Sequence, residues 1–252
     1  MDQDVIILNI AVLGASILQS ATGIGFGVIA GPVMLVVLNS GTAIQISIAL
    51  SFLIAVLLVP SLWRKTDRRL LAQLLAGSAL GLPIGLAVFM SIGIDHLKAL
   101  AGLAVLFTMV FMLRNSSSSP AQNPQRPANI KDLSVGVVSG IMSGSLAMPG
   151  PIPAAWMAVR AQGKDTIRAT ILTLFIFSYA GAFGLQAAVA GIAADTLWLT
   201  LTLAPATLAG VAIGRVLASR VSEQVFRQLL LAVLAATTLS LLYNSLPNLM
   251  AS

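Results

Sequence analysis

Uncharged apolar blocks run through almost the whole chain, separated by short polar or charged turns. The first, Val5–Asn39, is followed by blocks at about Thr42–Leu62, Leu70–Ile92, Leu97–Leu113, Ser134–Val159, Ala169–Ala194, Thr196–Gly214 and Gln228–Tyr243. No Asp, Glu, Lys, Arg or His occurs from Val5 to Trp63. About 20 helical residues cross about 30 Å of hydrocarbon, so blocks of this length and purity predict transmembrane helices. Arg114 to Lys131 is different, being rich in Ser, Pro and Asn and without periodicity, and it reads as a flexible linker. The chain thus divides into a first membrane unit at 1–113, a linker at 114–132 and a second unit at 133–252.

Two of the blocks carry matching glycine and proline interruptions. Gly25-Phe-Gly-Val-Ile-Ala-Gly31-Pro32 and Gly144-Ser-Leu-Ala-Met-Pro-Gly150-Pro151 share the spacing G-x5-G-P. Gly81-x3-Gly85 lines up with Gly210-x3-Gly214, and in that register Lys98 falls on Arg227 and Leu97 on Phe226. Small-x3-small pairs alone are common where membrane helices pack closely, so the agreement in order is the stronger sign of a repeat. Matched breaks in two halves of a membrane chain point to a site built from discontinuous helices.

Charge sets the expected topology. With the Arg64–Arg69 loop cytoplasmic, a single crossing by Ser134–Val159 would place Arg160, Lys164, Arg168, Arg215, Arg220 and Arg227 outside, against the positive-inside rule. Read as a helical hairpin that enters and returns, the same segment leaves Lys98 as the one basic residue outside among the 14. Val5–Asn39 is too long for one comfortable span and reads likewise. The predicted fold is therefore all-α and polytopic, with two inverted repeats, each a re-entrant or broken helical hairpin plus three transmembrane helices. The linker is expected in the cytoplasm and both termini outside, in a bacterial inner membrane. The acidic start Met1-Asp2-Gln3-Asp4 lacks the basic region of a signal peptide, so the first block is expected to be retained.

Composition narrows the chemistry. Hydrophobic residues make up 58% and charged ones 9%, with a mean hydropathy of +0.97. The net charge of +6 is accounted for by cytoplasmic loops rather than by nucleic acid. Cysteine is absent and His96 is alone, which argues against thiolate relays, disulfides and His-rich metal sites, and no metal or cofactor is expected. All eight acidic residues fall in predicted loops or at helix ends, so no carboxylate is expected at membrane depth. Cation coordination and proton relays normally need one there. The usual acid, base and metal constellations are missing as well, and the chain is not expected to be an enzyme.

The breaks themselves suit an anion. Glycine at 23, 25 and 27 permits sharp turns and close approach, and half-helices starting at about Pro32 and Pro151 would aim free N–H groups and positive dipole ends inward. Candidate ligands near the tips are Gln19, Ser20, Thr22, Gly23, Gly25, Gly27, Ser143, Gly144 and Ser145, with Ser139 nearby. The competing reading is that these small residues pack helices. Arg168, followed by Thr170, Thr173 and Tyr179, is a candidate oxyanion ligand, against the bland alternative of an interfacial residue that snorkels. Trp63, Trp156 and Trp198 read as interface anchors.

Ala21-Thr22-Gly23-Ile24-Gly25-Phe26-Gly27 running into Gly31-Pro32, the Gly140-Ile-Met-Ser-Gly144 counterpart and eight apolar segments split by a polar linker resemble the TauE/SafE sulfite exporter family, also called four-toluene-sulfonate uptake permeases. The resemblance implies a secondary transporter, expected to be an exporter, of small sulfur-containing or organic anions such as sulfite or organosulfonates. Its expected mechanism is alternating access around a midplane site between the two hairpins. The rivals are a channel-like anion pore and, from another class, an intramembrane lipid-phosphate enzyme. The expected partners are the anionic substrate and the lipid bilayer, with homodimerisation left open.

Overall fold

The computed structural model describes residues 2–23, 25–114, 130–160 and 162–217, together with 235 and 239. Most of the expected Gln228–Tyr243 helix, and the core of the linker, lie outside the described residues. Every regular element among those described is helical: α1 Asp2–Thr22, α2 Phe26–Leu38, α3 Thr42–Leu62, α4 Arg68–Ser91, α5 Ile94–Arg114, α6 Ile130–Leu146, α7 Pro151–Val159, α8 Lys164–Val189 and α9 Ala194–Leu217. Among the described residues, five segments, in α1, α3 with the short turn after it, α4, α8 and α9, are long and apolar enough to cross a membrane. The fold is an all-α polytopic membrane fold.

Both expected breaks are present, between α1 and α2 and between α6 and α7. Elsewhere the boundaries agree to within a few residues, except that α8 both starts and ends five residues early. Asp165 and Arg168 lie inside its first turns, where Asp165 pairs with Lys65 and Arg168 reaches the Ser20 carbonyl. Gly191, with φ +76, ends the helix path before Ala194.

Packing repeats with the halves exchanged. Helix α4 runs along α6, α9 runs along α1, and α3 crosses α8. A Cβ on Gly81 would lie 2.1 Å from the Val137 carbonyl oxygen and 2.9 Å from Ile141 N. On Gly210 it would lie 2.7 Å from the Leu13 carbonyl oxygen and 3.2 Å from Ile17 N. Likewise Gly85 abuts the Ile141 carbonyl and Gly214 that of Ile17. Glycine lets the helix backbones touch, which in lipid replaces the missing hydrophobic drive between helices.

Polar staples close the hairpin bases. Arg160 pairs with the buried carboxylate of Asp132 at 2.9 Å, Trp156 Nε1 donates to the same oxygen at 2.7 Å, and the guanidinium stacks 5.1 Å from the Trp156 ring. Trp156 is thus tied into the hairpin base rather than serving only as an interface anchor, whereas Trp198 is 70% exposed, as an anchor should be. Lys98 is buried, donating to Asn39 Oδ1 at 2.6 Å and lying 3.4 Å from Asp95. It places its charge at the C-terminal end of α2, where the helix dipole favours a cation.

Candidate functional site

The first break is forced by glycine. Gly23 (φ +87) and Gly25 (φ +141) adopt backbone angles that side chains resist. Helix α2 then begins at Phe26, whose N–H donates to Gln19 Oε1 at 3.1 Å, so a side chain of α1 caps the half-helix that follows. Helix α1 ends with the Gly23 N–H on the Gln19 carbonyl at 2.7 Å.

The second break has the same form in a different register. Ala147 (φ +57) takes the place of Gly23, with its N–H on the Ser143 carbonyl at 3.2 Å. Pro151 occupies the first helical position of α7, where its missing N–H costs nothing. The matching G-x5-G-P spacings therefore do not mark matching places. Pro32 lies inside α2 and not at its start, and Gly144 lies inside α6, pressed against Leu82, Gly85 and Leu86 of α4. Pro151 and Pro153 also leave the first turn of α7 poor in N–H donors, so the two half-helix ends are unequal.

Helix α8 ties the two breaks together. Arg168 Nη2 donates to the Ser20 carbonyl at the end of α1, and Gln186 Nε2 donates to the Gly144 carbonyl at 3.0 Å. Tyr179, buried, donates its hydroxyl to the Ala147 carbonyl at 3.1 Å. Arg168 and Tyr179 are about three helical turns apart, so the breaks are staggered along α8 rather than level. The first turn of α2 bridges the stagger, since a Cβ on Gly27 would come 2.2 Å from the Ala147 oxygen.

The candidate ligands separate into two groups. Thr22 donates to the Leu18 carbonyl at 2.9 Å, Ser145 to that of Ile141 at 2.7 Å and Ser143 to that of Ser178 at 3.4 Å, while Thr170 accepts from the Asp67 N–H at 3.0 Å. Ser139 donates to the Pro149 carbonyl at 2.7 Å and holds the second break. In contrast, Gln19 Nε2, Ser20 Oγ and Arg168 Nε are buried with no hydrogen-bond partner among the described residues. Because Gln19 turns its oxygen to Phe26 N, its free end is the donor end. Arg168 does not snorkel outward: its guanidinium is turned to the break, and a Cβ on Gly23 would lie 2.8 Å from its Cγ. In the sequence Tyr179 is singled out only as following Arg168 inward, and Gln186 is not singled out at all. Only the rarity of polar groups in a mostly apolar helix could have flagged Gln186.

A multi-pass helical protein whose two interrupted hairpins meet beside buried, unpaired donors has the architecture of a membrane transporter. Residues 8–241 match the family described as sulfite exporter TauE/SafE, and the chain belongs to that family of transporters. Searches of the curated proteins and of the solved structures returned no match.

Proposed function

We propose that this protein is a secondary transporter, working as an exporter, of a small oxyanion of the sulfite or organosulfonate type. The observation that carries the reading lies at the first break, where Gln19 Nε2 and Arg168 Nε are buried without a hydrogen-bond partner among the described residues, Gln19 reaching the start of α2 and Arg168 the end of α1. Unsatisfied buried donors are costly, and an oxyanion bound at the break would offer them acceptors. Three of the described carboxylates are engaged elsewhere, Asp165 with Lys65, Asp132 with Arg160 and Asp67 with Gln162. Gly23, Gly25 and Gly27 shape the cradle, and the second break backs it through Ala147. The exchanged packing of α4 on α6 and α9 on α1 supports an inverted repeat and hence alternating access.

In proteoliposomes, sulfite or an organosulfonate such as sulfoacetate should show saturable flux stimulated by the same anion on the other side. Taurine, thiosulfate and sulfate complete the panel, and chelator should leave flux intact. Non-saturable flux without counter-stimulation would favour the pore instead. The positive-inside rule supports a cytoplasmic Lys65 face. In intact cells a membrane-impermeant thiol reagent should therefore label Ala193→Cys and spare Gly163→Cys; the reverse pattern would refute this orientation.

A further inference from the structure

The two ends of the molecule differ. At the Lys65 end, the turn between α3 and α4 locks onto the segment leading into α8. Lys65 pairs with Asp165, and Gln162 Nε2 donates to Asp67 Oδ2 at 3.0 Å. The Asp67 N–H donates to Thr170 Oγ1 at 3.0 Å, and the hydroxyls of Thr66 and Thr173 lie 3.2 Å apart. Since Thr173 gives its proton to the Ala169 carbonyl, Thr66 is the donor in that pair. With the halves exchanged, the counterparts of these segments are the turn between α8 and α9 and the segment leading into α3. There Gln45 Nε2 donates to the Gly191 carbonyl at 2.9 Å, and the segments are parted by a cavity of about 480 Å³ whose lining includes Ser40, Thr42, Phe89, Ala193 and Thr196.

We infer that the 65–67 turn and the first turns of α8 form a gate, shut in this structure, and that the cavity at the opposite end is the open mouth of the same pathway. The inference rests on the transporter reading above, because a gate needs a pathway to close. The closing contacts join residues of the first half to residues of the second, so relative movement of the halves breaks all of them together. Each is a hydroxyl, amide or exposed ion-pair contact of modest net strength, so the set opens without dismantling the apolar core. Helix α8 also links gate to site: Arg168, which reaches the first break, stands between Asp165 and Thr170 of the gate on the same two turns. An anion drawing on Arg168 therefore acts on the element that must move, and Thr170 belongs to the gate rather than to the anion's ligands.

The natural chain has no cysteine, which keeps thiol probes clean. In the full-length double variant Thr66→Cys/Thr173→Cys, oxidation should join the two thiols and lower sulfite flux in proteoliposomes at least about tenfold, with recovery on reduction, because the cycle cannot proceed with one gate locked. At the other end, a bulky maleimide on Thr42→Cys should wedge the mouth and slow flux by a similar factor, about tenfold. Full cross-linking or full labelling with unchanged flux overturns the inference, as does failure of the 66/173 pair to cross-link. A readout that needs no substrate separates this from the anion proposal. The thiol of Thr173→Cys should be shielded from a bulky impermeant maleimide applied at the Lys65 face. Adding Lys65→Ala and Gln162→Ala should speed its labelling at least about tenfold as the cover is lost. Equal labelling rates sink the gate even if sulfite is carried, whereas absent flux with shielding intact sinks the anion reading and leaves the gate standing.

Discussion

Arg168→Met should leave a folded, membrane-inserted protein whose affinity for the transported anion falls roughly 30- to 150-fold, which corresponds to about 2–3 kcal/mol. That is the scale of a charge-assisted hydrogen bond lost from a buried site, and here the lost group carries a positive charge that reaches the end of α1 at the break. Arg168→Lys should recover little. Lysine can answer the Ser20 carbonyl as a point charge, but it has no planar fork with which to hold that carbonyl and an oxyanion together. The competing role for Arg168 is to cap the freed carbonyl end of α1, which would also suit a cation. Equilibrium binding measured on the folded fraction decides between them. If Arg168→Met melts at lower temperature yet binds with the parental affinity, the arginine is a cap and not a ligand.

The architecture was legible because membrane burial writes itself plainly: Thr42–Leu62 was readable to the residue from its bounding polar turns, and both breaks announced themselves by clustered Gly and Pro. The register of the second break was not. Its left-handed residue is Ala147, an alanine held at φ +57 by contacts from Tyr179 and from the Met148 N–H on the Met142 carbonyl. No local preference of alanine signals such a position. The G-x5-G-P spacing therefore drew attention to Gly144 when the strained residue lay three further on. The direction in which Arg168 turns was not legible, because its place at a helix start suits both an oxyanion ligand and an interfacial residue, and sequence carries no record that α1 ends beside it. The threonines of the gate were unreadable for the same reason, since Thr66 and Thr173 meet through tertiary packing alone.

Paired glycine ladders specify the closest helix contact. Gly77-x3-Gly81-x3-Gly85 in α4 faces Gly136-x3-Gly140-x3-Gly144 in α6, two ladders of glycine at helical spacing whose backbones touch along their length. Each ladder is only weakly informative by itself, but a pair of equal length in the two halves specifies a contact. Gly144 is thereby explained as packing, the role the sequence reading gave to Gly81.

The contact makes a demanding prediction. Gly81→Ala should reduce folded yield sharply and destabilise whatever folds by about 3 kcal/mol or more, because its methyl would sit 2.1 Å from the Val137 carbonyl oxygen. A clash with a flexible side chain relaxes by changing rotamer; a clash with the backbone of a helix moves the helix. Gly210→Ala, meeting Ser16 Cβ at 2.5 Å and the Leu13 carbonyl at 2.7 Å, should behave similarly at the α1–α9 seam. Gly184→Ala supplies the control: nothing lies within 4 Å of its methyl, so it should be neutral or stabilising by up to about 1 kcal/mol through helix propensity. All three changes add one methyl to a helical glycine, so propensity cancels in the comparison and the difference reports close packing. Thermal unfolding in detergent, with membrane yield measured alongside, reads it directly. Should Gly81→Ala melt with Gly184→Ala at normal yield, the α4–α6 backbone contact described here is not present in the folded protein.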